Sequence, residues 1–104
     1  MLNNNNKMSV HMLNEFKYNV KEMFNKRKDW IYKETEKKMV FIKKYRELDR
    51  FEISYNNARN GMELCVPLNA SGLNYYCVVR NNIEERVKNY LDNYESSILE
   101  YTGE

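Results

Sequence analysis

From Leu13 onward the apolar residues fall at helical spacing. Leu13, Phe16, Val20, Met23, Phe24, Trp30 and Ile31 recur at intervals of three, four and seven, and Phe41, Ile42, Tyr45 and Leu48 resume the series. No Gly or Pro interrupts the chain before Gly61. The pattern predicts a long N-terminal amphipathic helix over about residues 10 to 48, with Ser9 as its N-cap. The segment "YKETEKK" sets Glu34, Thr35 and Lys38 where the stripe should continue, so the helix either runs unbroken or bends near Asp29. Unbroken, it would be about 57 Å long. Residues 1–8, "MLNNNNKM", favour neither helix nor strand and read as a tail ahead of one domain spanning 9–104.

The period then changes to two. Asn60-Gly61 is a strong short hairpin signal, because a tight two-residue turn needs positive φ at both positions. With that pair at the tip, Arg59 faces Met62, Asn57 faces Leu64, Tyr55 faces Val66 and Ile53 faces Leu68. With Asn69-Ala70-Ser71-Gly72 as a second turn, Leu68 faces Leu73, Val66 faces Tyr75, Leu64 faces Cys77 and Met62 faces Val79. Both hairpins put Phe51, Ile53, Tyr55, Met62, Leu64, Val66, Leu68, Leu73, Tyr75, Cys77 and Val79 on one face, the pattern of a half-buried antiparallel sheet. Pro67, which donates no hydrogen bond, marks a bulge or a strand end. After Val79 the spacing is helical again: Ile83, Val87, Tyr90, Leu91, Tyr94 and Ile98 make one stripe, Asn81 or Asn82 can cap it, and Gly103 ends it. The predicted fold is α+β: a long first helix, a three-stranded antiparallel meander, and a C-terminal helix packed on the same apolar sheet face.

Composition narrows the function classes. The chain of 104 residues is 42% hydrophobic and 31% charged, which suits a globular domain with its own core. The N-terminus has no apolar signal segment, and no apolar run approaches the ~20 residues of a membrane span. Cys65 and Cys77 then read as reduced thiols, and the expected compartment is cytoplasmic. The many Asn, Tyr, Lys and Ile residues suit an AT-rich coding sequence and hint at a virus, a phage or an AT-rich microbe; in a viral setting the compartment becomes the host cytoplasm.

Chemistry has little footing. His11 is the single histidine, Cys65 and Cys77 belong on opposite sheet faces, and neither a zinc spacing nor a glycine-rich phosphate loop is present. No cofactor, metal or enzymatic activity is expected. The segment from Lys17 to Arg50 is dense in basic residues, with Trp30, Tyr32 and Tyr45 interleaved. Lys26, Arg27, Lys28, Lys33, Lys37 and Lys38 are therefore candidates for a nucleic-acid contact along the first helix. Acids in the same segment offer the i,i+4 pairs of an ordinary solvated helix, such as Glu22 with Lys26 and Glu34 with Lys38.

The order helix, three strands, helix resembles that of the double-stranded-RNA-binding domain. The resemblance covers topology alone. Where that family has a Lys-rich start to its last helix, this chain reads "RNNIEER", its first-hairpin loop signature is missing, and the first helix is too long. A ~57 Å helix also outruns a seven-residue strand of about 23 Å. Its surplus apolar residues, Phe16, Val20, Met23, Phe24, Trp30 and Ile31, then predict a protein interface. The leading expectation is a small non-enzymatic interaction protein, a regulator or inhibitor, that binds a protein partner and forms a homodimer. The alternative is a nucleic-acid-binding protein.

Overall fold

The computed structural model describes residues 10–55, 61–69 and 71–102. The expected tail 1–8, the Ser9 cap, the Asn60 half of the first turn and the Gly103 stop lie outside these residues. Two helices and five strands follow in the order α1 (Val10–Asn25), β1 (Trp30–Glu34), β2 (Lys38–Lys43), β3 (Arg50–Ser54), β4 (Met62–Pro67), β5 (Asn74–Val79) and α2 (Ile83–Thr102). The strands form one antiparallel sheet in chain order, β1 to β5.

The α+β class stands, but the three-stranded meander is corrected to five strands and the long first helix to sixteen residues. With five strands, the topological likeness to the double-stranded-RNA-binding domain also goes. The helix stops without Gly or Pro. Arg27 folds back so that its guanidinium donates to the Met23 carbonyl at 2.6 Å, closing the last turn. Asp29 then takes the left-handed conformation at φ 71°, which a short polar side chain tolerates. Beyond it the apolar spacing that resembles a helix is two strands joined by a tight hairpin, in which Glu34 pairs with Met39. Thr35 makes that turn possible: its hydroxyl accepts from the amides of Lys37 and Lys38, and its own amide donates to the Lys38 carbonyl.

The two later hairpins fare differently. In β4–β5, Val66 faces Tyr75, Leu64 faces Cys77 and Met62 faces Val79, the register that the Asn69–Gly72 turn implies. In β3–β4, Ile53 faces Leu64, not Leu68. The Asn60-Gly61 register is therefore off by four residues. An even slip keeps every side chain on its own face, so the assignment of sheet faces survives the wrong turn. β4 ends at Pro67, and its ladder with β3 already stops at Glu52–Cys65, so the missing Pro67 amide costs no bond.

Both helices lie on the same sheet face. Phe16, Val20 and Phe24 of α1 meet Met39, Phe41, Phe51, Ile53, Met62, Leu64, Val66 and Val79 of the sheet, and Val87, Leu91 and Tyr94 of α2 complete the core. Phe24 stacks on Phe41 with centroids 3.8 Å apart and meets Trp30 and Phe51 edge-on. A sixteen-residue helix is about 24 Å long, close to the span of the strands beneath it. The surplus apolar length that the sequence implies does not arise.

Candidate interaction surface

Phe16, Val20 and Phe24 are core residues, each at most 2% exposed, and Met23 packs against them half-buried. Trp30 is also half-buried among Phe24, Phe51 and Tyr94, with its indole N–H donating to Glu95 at 3.2 Å. These five stabilise the fold and are corrected as contact residues: the helix turns at Asp29 and spends its stripe on its own sheet. Ile31 alone of the six is exposed, on the opposite sheet face.

The expected basic helix face is divided as well. Lys26, Arg27 and Lys28 sit at the α1–β1 turn, where Arg27 pairs with Asp92 at 2.5 Å and Glu95 at 3.1 Å. Lys33, Lys37 and Lys38 belong to the β1–β2 hairpin at the other end of β1, and Lys38 pairs with Glu52 at 2.7 Å. The two triplets share no helix face, because the segment between them is a strand. His11 lies exposed on α1, and the two cysteines are free. The Cys77 thiol is 3.7 Å from the Tyr90 hydroxyl on the helix side, while Cys65 is buried on the other face, where burial pushes its thiol pKa up.

What the fold does leave open is one edge of the sheet. The two edges differ in chemistry. β1 carries Lys33 and Glu34, and Glu34 is held by Lys17 at 2.5 Å from the helix above. Charge on an edge strand disfavours further pairing. β5 reads Asn-Tyr-Tyr-Cys-Val-Val and has none. No Asp, Glu, Lys or Arg occurs anywhere between Glu63 and Arg80. Among the described residues no strand lies beyond β5.

The ladder says which backbone groups are available. The Leu68 amide donates to the Leu73 carbonyl at 2.8 Å, so these two are a hydrogen-bonded pair. Such pairs alternate along an antiparallel ladder, which makes Val66–Tyr75, Leu64–Cys77 and Met62–Val79 hydrogen-bonded too. The N–H and C=O of Asn74, Tyr76 and Val78 therefore point away from β4, along the free side. Their side chains stand on the helix-free face. Tyr76 is 73% exposed there and Val78 47%. Tyr76 sits across from Cys65 and shares a hydrogen bond with its thiol, which raises the phenol's pKa.

The surface continues around the end of the hairpin. Leu68 and Leu73 flank the β4–β5 turn and are exposed, although both belong to the apolar face of the strand pattern, because neither helix reaches them. Beside that turn is the β2–β3 loop, which shares a shallow hollow with Ser71 and Gly72. The loop shows Leu48 and an 86% exposed Tyr45, the latter held at φ 69°. A bulky residue in that conformation persists only where its surroundings enforce it. Here the Arg46 amide bonds the Lys43 carbonyl, the Asp49 amide bonds the Arg46 carbonyl, and the Asp49 carboxylate is buried between Arg46 and the Tyr94 hydroxyl. The loop is thus a rigid display of two apolar side chains next to an uncharged strand.

Sequence reasoning passed over this edge because Tyr75, Tyr76 and Val78 read as ordinary strand residues. The readable signal is the long gap in charge from 64 to 79 in a chain that is 31% charged. Among the described residues no helix is long and apolar enough to cross a membrane. No protein-family model, curated protein or solved structure matches the chain.

Proposed function

We propose that this chain is a non-enzymatic protein-interaction module that takes an extended segment of a protein partner along the free edge of β5. The observation that carries this is the uncharged edge itself, with the backbone groups of Asn74, Tyr76 and Val78 turned outward beside exposed Tyr76 and Val78. An added strand gains affinity from main-chain hydrogen bonds and selectivity from alternate side chains. On the open face it would meet Tyr76 and Val78, and at the hairpin end Leu68, Leu73, Tyr45 and Leu48. Large, rigid aromatics such as Tyr45 and Tyr76 are the residue type that concentrates binding energy. The module acts by stoichiometric binding, as a regulator or inhibitor does. It works in the cytosol, where Cys65 and Cys77 stay reduced.

Selection from a displayed library of short extended peptides tests this. Binders should carry aromatic or β-branched residues at alternate positions and should lose binding to the Tyr76→Lys variant. Peptides that bind wild type and Tyr76→Lys equally would place the contact elsewhere and end the proposal.

A further inference from the structure

We infer that the strand received by β5 is the β5 of a second copy of this chain, running antiparallel, with Tyr76 on the two-fold axis. The inference rests on the edge-pairing proposal and names its occupant. A two-fold interface brings the same patch of both copies together, so the patch must be complementary to itself. β5 meets that condition. It holds no charge, so pairing it with itself opposes no like charges and buries no unpaired one. The nearest charged residue at either end is Arg80, just past Val79. An antiparallel arrangement sends the two Arg80 side chains to opposite ends, each opposite an uncharged Gly72, whereas a parallel one would set them side by side. Charge therefore selects both the partner and its direction. β1, with Lys33 opposite itself or Glu34, lacks this property.

The outward groups fix the register. Only Asn74, Tyr76 and Val78 offer backbone donors and acceptors to the free side, and they are centred on Tyr76. Pairing Tyr76 with its own counterpart, and Asn74 of each copy with Val78 of the other, satisfies every one of those groups. The two sheets become one, and the two Tyr76 rings meet across the axis on the helix-free face. The Tyr45 and Leu48 loops are left flanking the joint at both ends.

Sedimentation of the wild-type chain at high micromolar concentration should give a mass near twice 12.7 kDa. Tyr76→Lys, at an exposed position, should give a monomer that keeps the wild-type circular dichroism spectrum and still unfolds cooperatively. The register has its own test. Val78→Glu should weaken the dimer at least about tenfold, because the carboxylate meets no cation there: uncharged Asn74 of the second copy faces it across the joint, and Glu63 faces it from β4 of its own chain. Adding Asn74→Lys to the same chain should restore most of that affinity, since Lys and Glu then face each other across the joint twice. Within one chain positions 74 and 78 stand about 13 Å apart, so an intrachain pair cannot account for the rescue. A wild-type monomer at that concentration overturns the inference and leaves edge pairing to the peptide selection. A dimer indifferent to Tyr76→Lys also overturns it, because the copies then meet elsewhere. A dimer that Val78→Glu weakens and Asn74→Lys fails to rescue overturns the register.

Discussion

Gly61 sits where a side chain has no room. A Cβ built there would come 2.8 Å from the Val79 carbonyl oxygen, which is backbone and cannot step aside cheaply. Gly61→Ala should therefore destabilise the fold by about 1–3 kcal/mol, as forced overpacking does, and urea unfolding will show it. Gly72, at φ 85°, has open space around its missing side chain and is held by its backbone angle instead. A second residue with an outsized role is Asp49. It is 2% exposed, accepts from Tyr94 at 2.5 Å and from Arg46 at 2.8 Å, and so fastens the β2–β3 loop to α2. Asp49→Ala removes the buried acceptor that both Tyr94 and Arg46 use and should cost about 3 kcal/mol, whereas Tyr94→Phe removes one hydroxyl and should cost about 1 kcal/mol. Near-equal losses in thermal melts of the two variants would mean that the buried carboxylate matters no more than one hydroxyl.

At the scale of elements, the strand pairs β3–β4 and β4–β5 test the sheet faces directly. Val66 is buried against the helices and Ser54 stands on the other side. Val66→Asp should abolish cooperative unfolding, and Ser54→Asp should change stability by less than about 1 kcal/mol. This face assignment was legible in the sequence because a period of two is insensitive to even slips in register. The stripe of α2 was equally legible: Ile83, Val87, Tyr90, Leu91, Tyr94 and Ile98 all lie in or against the core. The first half of the chain was not. Its elements are joined at Asp29, Thr35 and Tyr45, which do the work of glycine through a hydroxyl bond and two left-handed backbones. Trp30, Tyr32, Phe41 and Ile42 also fit helical spacing as well as strand alternation, and short apolar runs do not separate the two. The surplus apolar length has the same origin: a helix drawn too long leaves Phe24 and Trp30 with nothing to cover them, and the folded chain covers them itself.

At the scale of the molecule, burial of tyrosine sets the alkaline limit of stability. Burial raises the phenol pKa of Tyr94, with the Asp49 hydrogen bond adding to it, and burial likewise raises those of Tyr32 and Tyr55. A pKa raised on folding means the neutral phenol is the native form. Its contribution is complete below about pH 10, the unfolded value, and falls above it by about 1.4 kcal/mol per pH unit for each such group. Phenolate absorbance should consequently show a distinct late step, in which Tyr32, Tyr55 and Tyr94 ionise together with unfolding. One smooth titration of all the tyrosines would contradict the core as described. The two layers leave β5 as the uncharged boundary of the sheet, and amide hydrogen exchange read residue by residue tests that most directly. In dilute protein the amides of Tyr75 and Cys77, bonded to β4, should exchange slowly while those of Asn74, Tyr76 and Val78 exchange fast, and those three should slow when a strand is added, whether a selected peptide or a second copy. Slow exchange at Tyr76 in the dilute monomer, or no change there in the complex, would contradict the account.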